Sequence, residues 1–309
     1  MPTLLDFRRR IRSVKSTQQI TRAMKFVAAA RLRRAQERVF AARPYASHIL
    51  SVLCSAMARV ENPSHPLMVR RPAERLLLLV VSGDRGMCGA FNANVVRKAE
   101  EFLRQHRSNR LDVVPVGKKA RDALRKRGIR FAVEYLNIAA RVEFAQAKDI
   151  AAKAVEKVTS AEVDAVYAIY NEFKSVLAQR LVVEKILPID PEGLVTAGTL
   201  PEAAGSVGGY ALPTHVSGQV TVLVDYIYEQ PAGELLDRLL HRYVDVEVYR
   251  VLLESAAAES AARMTAMDAA TNNASELIEQ LTLHMNKVRQ AAITKEIIEV
   301  VSGAASAAS

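Results

Sequence analysis

The residues best placed for chemistry lie in the segment SGDRGMCGAFN, residues 82–92, directly after the apolar run RLLLLVV. A glycine-bearing turn after a buried strand is where doubly wound proteins hold phosphates. The spacing matches neither GxGxxG nor GxxxxGK followed by Ser or Thr. Gly83, Gly86 and Gly89 are therefore read as permitting a tight turn and close backbone packing. Cys88 needs a neighbouring base to act as a nucleophile. The histidines (His48, His65, His106, His215, His241 and His284) are scattered along the chain, so a small buried thiol is the expectation. Asp225 ends a strand-like run, and His241 and His284 fall in helical sequence. No carboxylate pair or histidine cluster shows catalytic or metal-ligand spacing. Tyr243 and Tyr249, in HRYVDVEVYR, read as packing residues. No catalytic site, cofactor or metal is expected, and attention passes to the elements themselves.

Those elements are unusual in length. Residues 234–302 run for 69 positions without glycine or proline, and residues 3–43 for another 41, although the chain holds 13 Gly and 11 Pro. These are the residues that interrupt helices. The C-terminal run can form one helix roughly 100 Å long. The N-terminal run reads as helix, with small or apolar side chains at Ile11, Val14, Thr21, Met24, Ala28, Leu32, Ala35, Val39 and Ala42 and with Gln18 filling one step. Alternating steps of three and four make a coiled-coil seam. Pro44 is expected to kink or restart this helix, which then continues to about Val60. The C-terminal seam is read through Met267, Ala270, Ala274, Leu277, Leu281, His284, Val288, Ala291 and Ile298.

Between the arms the pattern changes. The runs RLLLLVV, LDVVPV, FAVEYL, VDAVYAIYNEF, LVVEKILPI and TVLVDYIY read as strands. Helical segments at 94–106, 118–128 and 143–160 separate the earlier ones. The alternation predicts a parallel Rossmann-like sheet with an antiparallel edge. Residues 190–219, rich in Gly and Pro, read as a long surface loop. The fold class is thus α/β, divided into an N-terminal coiled-coil helix (1–60), a central Rossmann-like domain (74–230) and a C-terminal coiled-coil helix (231–303).

Composition narrows the function. Half the residues are hydrophobic, only 6% are aromatic and tryptophan is absent. Cys54 and Cys88 make no disulfide framework, which suits a reducing compartment. The start of the chain turns basic within a few residues, and the longest apolar run, Leu76–Val81, is far short of the ~20 residues a membrane span needs. A soluble or peripheral protein is expected. The formal charge of +10 arises wholly within residues 8–38, where eleven Lys or Arg face the single acid Glu37. Such a face is either solvated or docks on an acidic partner.

Two helices attached to one central domain must run antiparallel if they pair. The N-terminal helix reaches roughly 87 Å at most, so the longer C-terminal helix overshoots it. The overshoot, ITKEIIEVVSGAASAAS, carries Ile293, Ile297, Ile298, Val300 and Val301. A lone helix this apolar calls for an enclosing partner.

In the blocks ITRAMKFVAAARLRRAQ, VVSGDRGMCGAFNANV, LLDRLLHRYVDVEVYRVLLES, SAARMTAMDAATNNASELI and NKVRQAAITKEIIEVVSGA the chain resembles the gamma subunit of F-type ATP synthase. The resemblance implies a rotor shaft that penetrates a hexamer of alpha and beta subunits, with no catalytic site of its own. Its tip turns in an apolar bearing, and its central domain forms a foot with the epsilon subunit on the membrane ring of c subunits. It further implies beta-subunit contacts at Met24, Lys25, Arg289, Gln290 and Thr294, and a bearing surface at Ile293, Ile297, Ile298, Val300 and Val301. Lys25 departs from the family, some members of which carry an acid there. The implied location is peripheral, on the cytoplasmic face of a bacterial plasma membrane. Without the resemblance, two other readings stand: a basic coiled coil that binds nucleic acid through residues 8–38, and a Rossmann-like enzyme with helical arms.

Overall fold

The computed structural model describes residues 3–57, 65–131, 133–190 and 232–307. Nine elements follow in order: α1 (Leu4–Met57), β1 (Arg75–Val81), α2 (Phe91–Gln105), β2 (Arg110–Val116), α3 (Lys118–Lys126), α4 (Phe144–Thr159), β3 (Ala165–Phe173), β4 (Gln179–Leu187) and α5 (Ala232–Ala307). The expected loop 190–219 falls almost wholly, and the strand TVLVDYIY and Asp225 wholly, outside the described residues, as does the side chain of Cys54.

The sheet has the order β2-β1-β3-β4. β1 pairs in parallel with both β2 and β3, and β4 closes the sheet antiparallel to β3. Successive side chains of a strand face opposite ways, and β1 uses both faces. Leu76, Leu78 and Val80 pack with Val95, Ala99, Phe102, Ala120 and Leu124 of α2 and α3. Leu77, Leu79 and Val81 face the other core, built from α4 and the root of α5. A strand covered on both sides must be apolar throughout, which is why RLLLLVV shows no alternation.

FAVEYL does not form a third parallel strand. Only Tyr135 reaches the β2 edge, donating its main-chain N–H to Pro115 O at 3.0 Å and accepting from Gly117 N at 2.7 Å. Phe131 is drawn instead to the α2–α3 core, where Arg125 stacks over its ring at 5.6 Å. Packing has overridden a local strand preference.

Pro44 does not stop α1, which is continuous for 54 residues and about 80 Å. Tertiary contacts hold both sides of this position. Arg242 on α5 donates to Tyr45 Oη at 2.9 Å and lies over that ring, and Val39, Ile49 and Leu53 are buried. α5 is a single helix of 76 residues, about 110 Å long. It extends past Gly303 to Ala307, a little beyond the boundary expected at 303.

Candidate functional site

The two long helices pair antiparallel, and their polar contacts fix the register. Lys25 Nζ lies 2.6 Å from Asp268 Oδ1. The hydroxyls of Thr21 and Thr271 lie 2.9 Å apart, and Gln18 Nε2 donates to Ser275 Oγ at 2.7 Å. Nearer the start of α1, the rings of Phe7 and His284 meet at 5.3 Å. Position falls along α1 as it rises along α5. Ala274 of α5 is buried among these contacts, and Ala28, Leu32 and Val39 of α1 and Met267 of α5 are buried on the side of the Lys25–Asp268 pair nearer the sheet.

The N-terminal seam follows the expected positions. The C-terminal seam drifts: Leu277, His284 and Ala291 are exposed, whereas Ile278, Met285 and Ala292 take the half-buried places. A nearly straight helix moves about 20° per heptad against a 3.5-residue repeat, so a strict heptad count loses the stripe after a few turns.

α1 gives out near Leu4, and α5 continues alone. From Ile293 to Ser302 every residue is exposed. Ile297, Ile298, Val300 and Val301 each show 58–72% of their surface to solvent. Arg289, Gln290 and Thr294 are exposed too, and Thr294 Oγ1 donates to Gln290 O at 2.9 Å along the helix. Met24 is half-buried in the seam, and Lys25 is engaged by Asp268. These two lie beside residues 268–271, so about 30 Å of helix separates them from Arg289. The structure therefore presents two separate patches rather than one.

At its other end the shaft is clasped. Arg250 on α5 donates through Nη2 to both carboxylate oxygens of Glu184 on β4 at 2.8 Å and to Glu247 at 2.7 Å, and through Nη1 to Tyr170 Oη on β3 at 3.0 Å. Burial pulls the guanidinium pKa down, but Glu247, Tyr170 and Glu184 outweigh it and hold the group well above its ordinary value. Burial likewise pushes the Tyr170 phenol up strongly. The sequence reading missed this clasp, although Glu247, Arg250 and Glu254 share one helix face at steps of three and four.

The 82–92 turn docks one level higher. Arg263 donates to Gly86 O at 3.4 Å and pairs with Glu259. A Cβ at Gly83 would lie 2.7 Å from the Glu259 carboxyl, which would have to move aside for any larger residue. The first N–H groups of α3, where a phosphate would bind, are already taken: Lys118 N by Asp84 Oδ1 at 3.1 Å, Lys119 N by Gly83 O at 3.1 Å and Ala120 N by Ser82 Oγ at 2.8 Å. Cys88 is buried, and burial raises its thiol pKa, which works against a nucleophilic thiolate.

The histidines are not all scattered. His65, Asp237 and His241 come together at the root of α5, each offering one donor atom within 4.8 Å of the others. This corrects the expectation that no such cluster exists. Asp237 and His241 share one helix turn, but His65 is 172 residues from Asp237 in sequence.

Known proteins match over nearly the whole length. A chain of Solibacter usitatus called ATP synthase gamma chain is 49% identical, over 99% of this chain and 100% of its own length. The ATP synthase gamma chain of Pelotomaculum thermopropionicum is 44% identical, with 99% of each chain covered. The family model described as ATP synthase matches residues 3–307. The chain belongs to the ATP synthase gamma-chain family. A chain in the structure of the Euglena gracilis mitochondrial ATP synthase, OSCP/F1/c-ring, rotational state 3, has a TM-score of 0.62 at 21% identity, with 97% of this chain and 92% of that one covered. At that identity the likeness speaks for the fold, which it shares with the gamma-chain pattern of two terminal helices around a mixed sheet.

Proposed function

We propose that this chain is the central shaft of a rotary ATP synthase, converting ion flow through a membrane ring into changes of nucleotide affinity in a surrounding hexamer. The observation that carries this reading is the unpaired apolar end of α5. In water such a surface is unfavourable, and an apolar sleeve of alpha and beta subunits would cover Ile293, Ile297, Ile298, Val300 and Val301. Met24 and Lys25 on one level, and Arg289, Gln290 and Thr294 on another, face the beta subunits. The central domain, residues 74–230 between arms 1–60 and 231–303, serves as the foot that meets the epsilon subunit and the c-ring. The complex places the chain on the cytoplasmic face of a bacterial plasma membrane. No helix among the described residues is long and apolar enough to cross a membrane.

The mechanism needs asymmetry and stiffness, not catalytic groups. Two unlike helices present a different face to each beta subunit. Rotation then favours a different conformation at each site in turn, and a conformation change is a change of affinity. The clasp at Arg250 ties the sheet to the shaft, so that a turn of the foot becomes a turn of the tip. Reconstitution with alpha and beta subunits tests the reading. With the membrane ring also present, full-length chain should restore ATP-driven ion pumping, and a complex built on a chain ending at residue 288 should hydrolyse ATP with impaired pumping. Normal pumping without the chain would exclude the proposal.

A further inference from the structure

The cluster of His65, Asp237 and His241 is not used by the shaft reading. We infer that it is a binding site for a transition-metal dication, with zinc the best match, which pins the connection between α1 and β1 to the root of α5. The three side chains converge from two parts of the chain. His65 Nε2 lies 2.9 Å from Asp237 Oδ1, and the His241 ring stands beside the same carboxylate, its non-coordinating Nδ1 3.6 Å from that oxygen. The two rings meet edge to face at 5.9 Å. Helical spacing of four places Asp237 and His241 on one side of α5, and His65 closes over them with only 16% of its side chain exposed.

The donor chemistry selects the ion. His241 Nδ1 lies 2.9 Å from the main-chain oxygen of Asp237. A carbonyl only accepts, so Nδ1 carries the proton and Nε2 keeps a lone pair. A backbone carbonyl on the second ring nitrogen is how metal-binding histidines are commonly held. Two imidazole nitrogens and one carboxylate oxygen suit zinc, cobalt, nickel or copper, whereas magnesium and calcium prefer oxygen sets. Asp237 and His241 are about half exposed, so water completes the coordination.

His65 limits the affinity. Its Nδ1 accepts from Leu67 N at 3.2 Å, so its proton resides on Nε2 and points at Asp237. To coordinate through Nε2, the ring shifts that proton to Nδ1 and gives up the Leu67 contact. Losing an outer partner of this kind lowers metal affinity about 10–100-fold. The site is therefore a moderate one that a chelator strips readily.

The test titrates the full chain with zinc against a chromophoric chelator, and with cobalt read by its visible absorption. The expected result is one equivalent bound, with Tm raised by zinc and restored by chelator. His65→Ala and His241→Gln should each reduce affinity at least tenfold, and His106→Ala and His284→Ala should leave it unchanged. His241 is on the surface, so His241→Gln is the variant that keeps the fold if His65→Ala does not. No stoichiometric zinc, or equal affinity in the doubly substituted chain, would overturn the inference. Neither outcome bears on the shaft reading, which does not involve these residues.

Discussion

The same helix is two different materials at its two ends. Between Leu236 and Arg263, α5 is wrapped by the sheet, α1 and α4, and even Glu254, Ser255, Glu259, Ser260 and Arg263 are buried. From Ile293 to Ser302 every side chain is exposed, and the aliphatic ones face solvent. The root invests its residues in fixed internal contacts, and the tip leaves them available for another molecule. A change at the root should therefore register as lost stability, and one at the tip as lost assembly.

The sharpest way to break the root is Arg250→Met. Removing one member of a half-buried ion network leaves uncompensated charge, here at Glu184 and Glu247, and costs about 3 kcal/mol, the lower end for a buried pair. Urea denaturation of the full chain should show a loss of that size, and Arg250→Lys should recover only part of it, because one ammonium cannot reproduce the fork. A loss below about 1 kcal/mol would mean that the clasp does not hold shaft to sheet.

Gly117→Ala comes next. Gly117 has φ +98°, and a Cβ there would meet the main-chain oxygen of Ser82. Strain at such a backbone costs about 1–3 kcal/mol before the clash is added. Thermal melting should show it, with the largest local effect on the turn that receives the α3 N-terminus.

Asp164→Asn probes the end of the sheet where the two central strands, β1 and β3, begin. The Arg75 side chain, outweighing the effect of burial, and the main-chain N–H groups of Arg75 and Glu74 hold the Asp164 carboxyl below its ordinary 3.8. A carboxyl depressed on folding contributes stability that is complete above that ordinary value and is lost as pH falls through the lowered one. The gap between wild type and Asp164→Asn should thus be constant from pH 5 to 7, within which the carboxyl is ionised in both states. It should close only below about pH 4. A gap that changes near neutrality would point to another group.

These contrasts also show what sequence alone could reveal. The overshoot was legible because it follows from counting: two uninterrupted helices of unequal length, antiparallel by connection, leave an end unpaired. The parallel sheet with its antiparallel edge was legible from strand–helix alternation, though not the order of its strands. FAVEYL was misread because nothing local says that Phe131 will leave for the α2–α3 core while Tyr135 alone reaches β2. The drift from Leu277 to Ile278 needed the true helical period rather than the heptad. His65 could not be joined to Asp237 and His241 by spacing, since 172 residues separate it from Asp237 and only the tertiary fold brings them together. The pairing of Lys25 with Asp268 was out of reach too, because it requires the register of both helices.

Lys25→Ala should matter little for stability. The pair is partly exposed, with side chains 37% and 47% accessible, and such pairs contribute about 0.2–1 kcal/mol. The tip should matter least of all. Ile298→Ser and Val300→Ser replace side chains that are 61% and 72% exposed, so the free protein should melt within about 0.5 kcal/mol of wild type. Removing exposed aliphatic surface should even raise its solubility. If the tip turns inside an apolar sleeve, the same substitutions should weaken coupling in a reconstituted complex while the isolated chain is unaffected. Equal stability losses at root and tip would show instead that the end of α5 is folded against something in its own chain, and the contrast between the two regions would disappear.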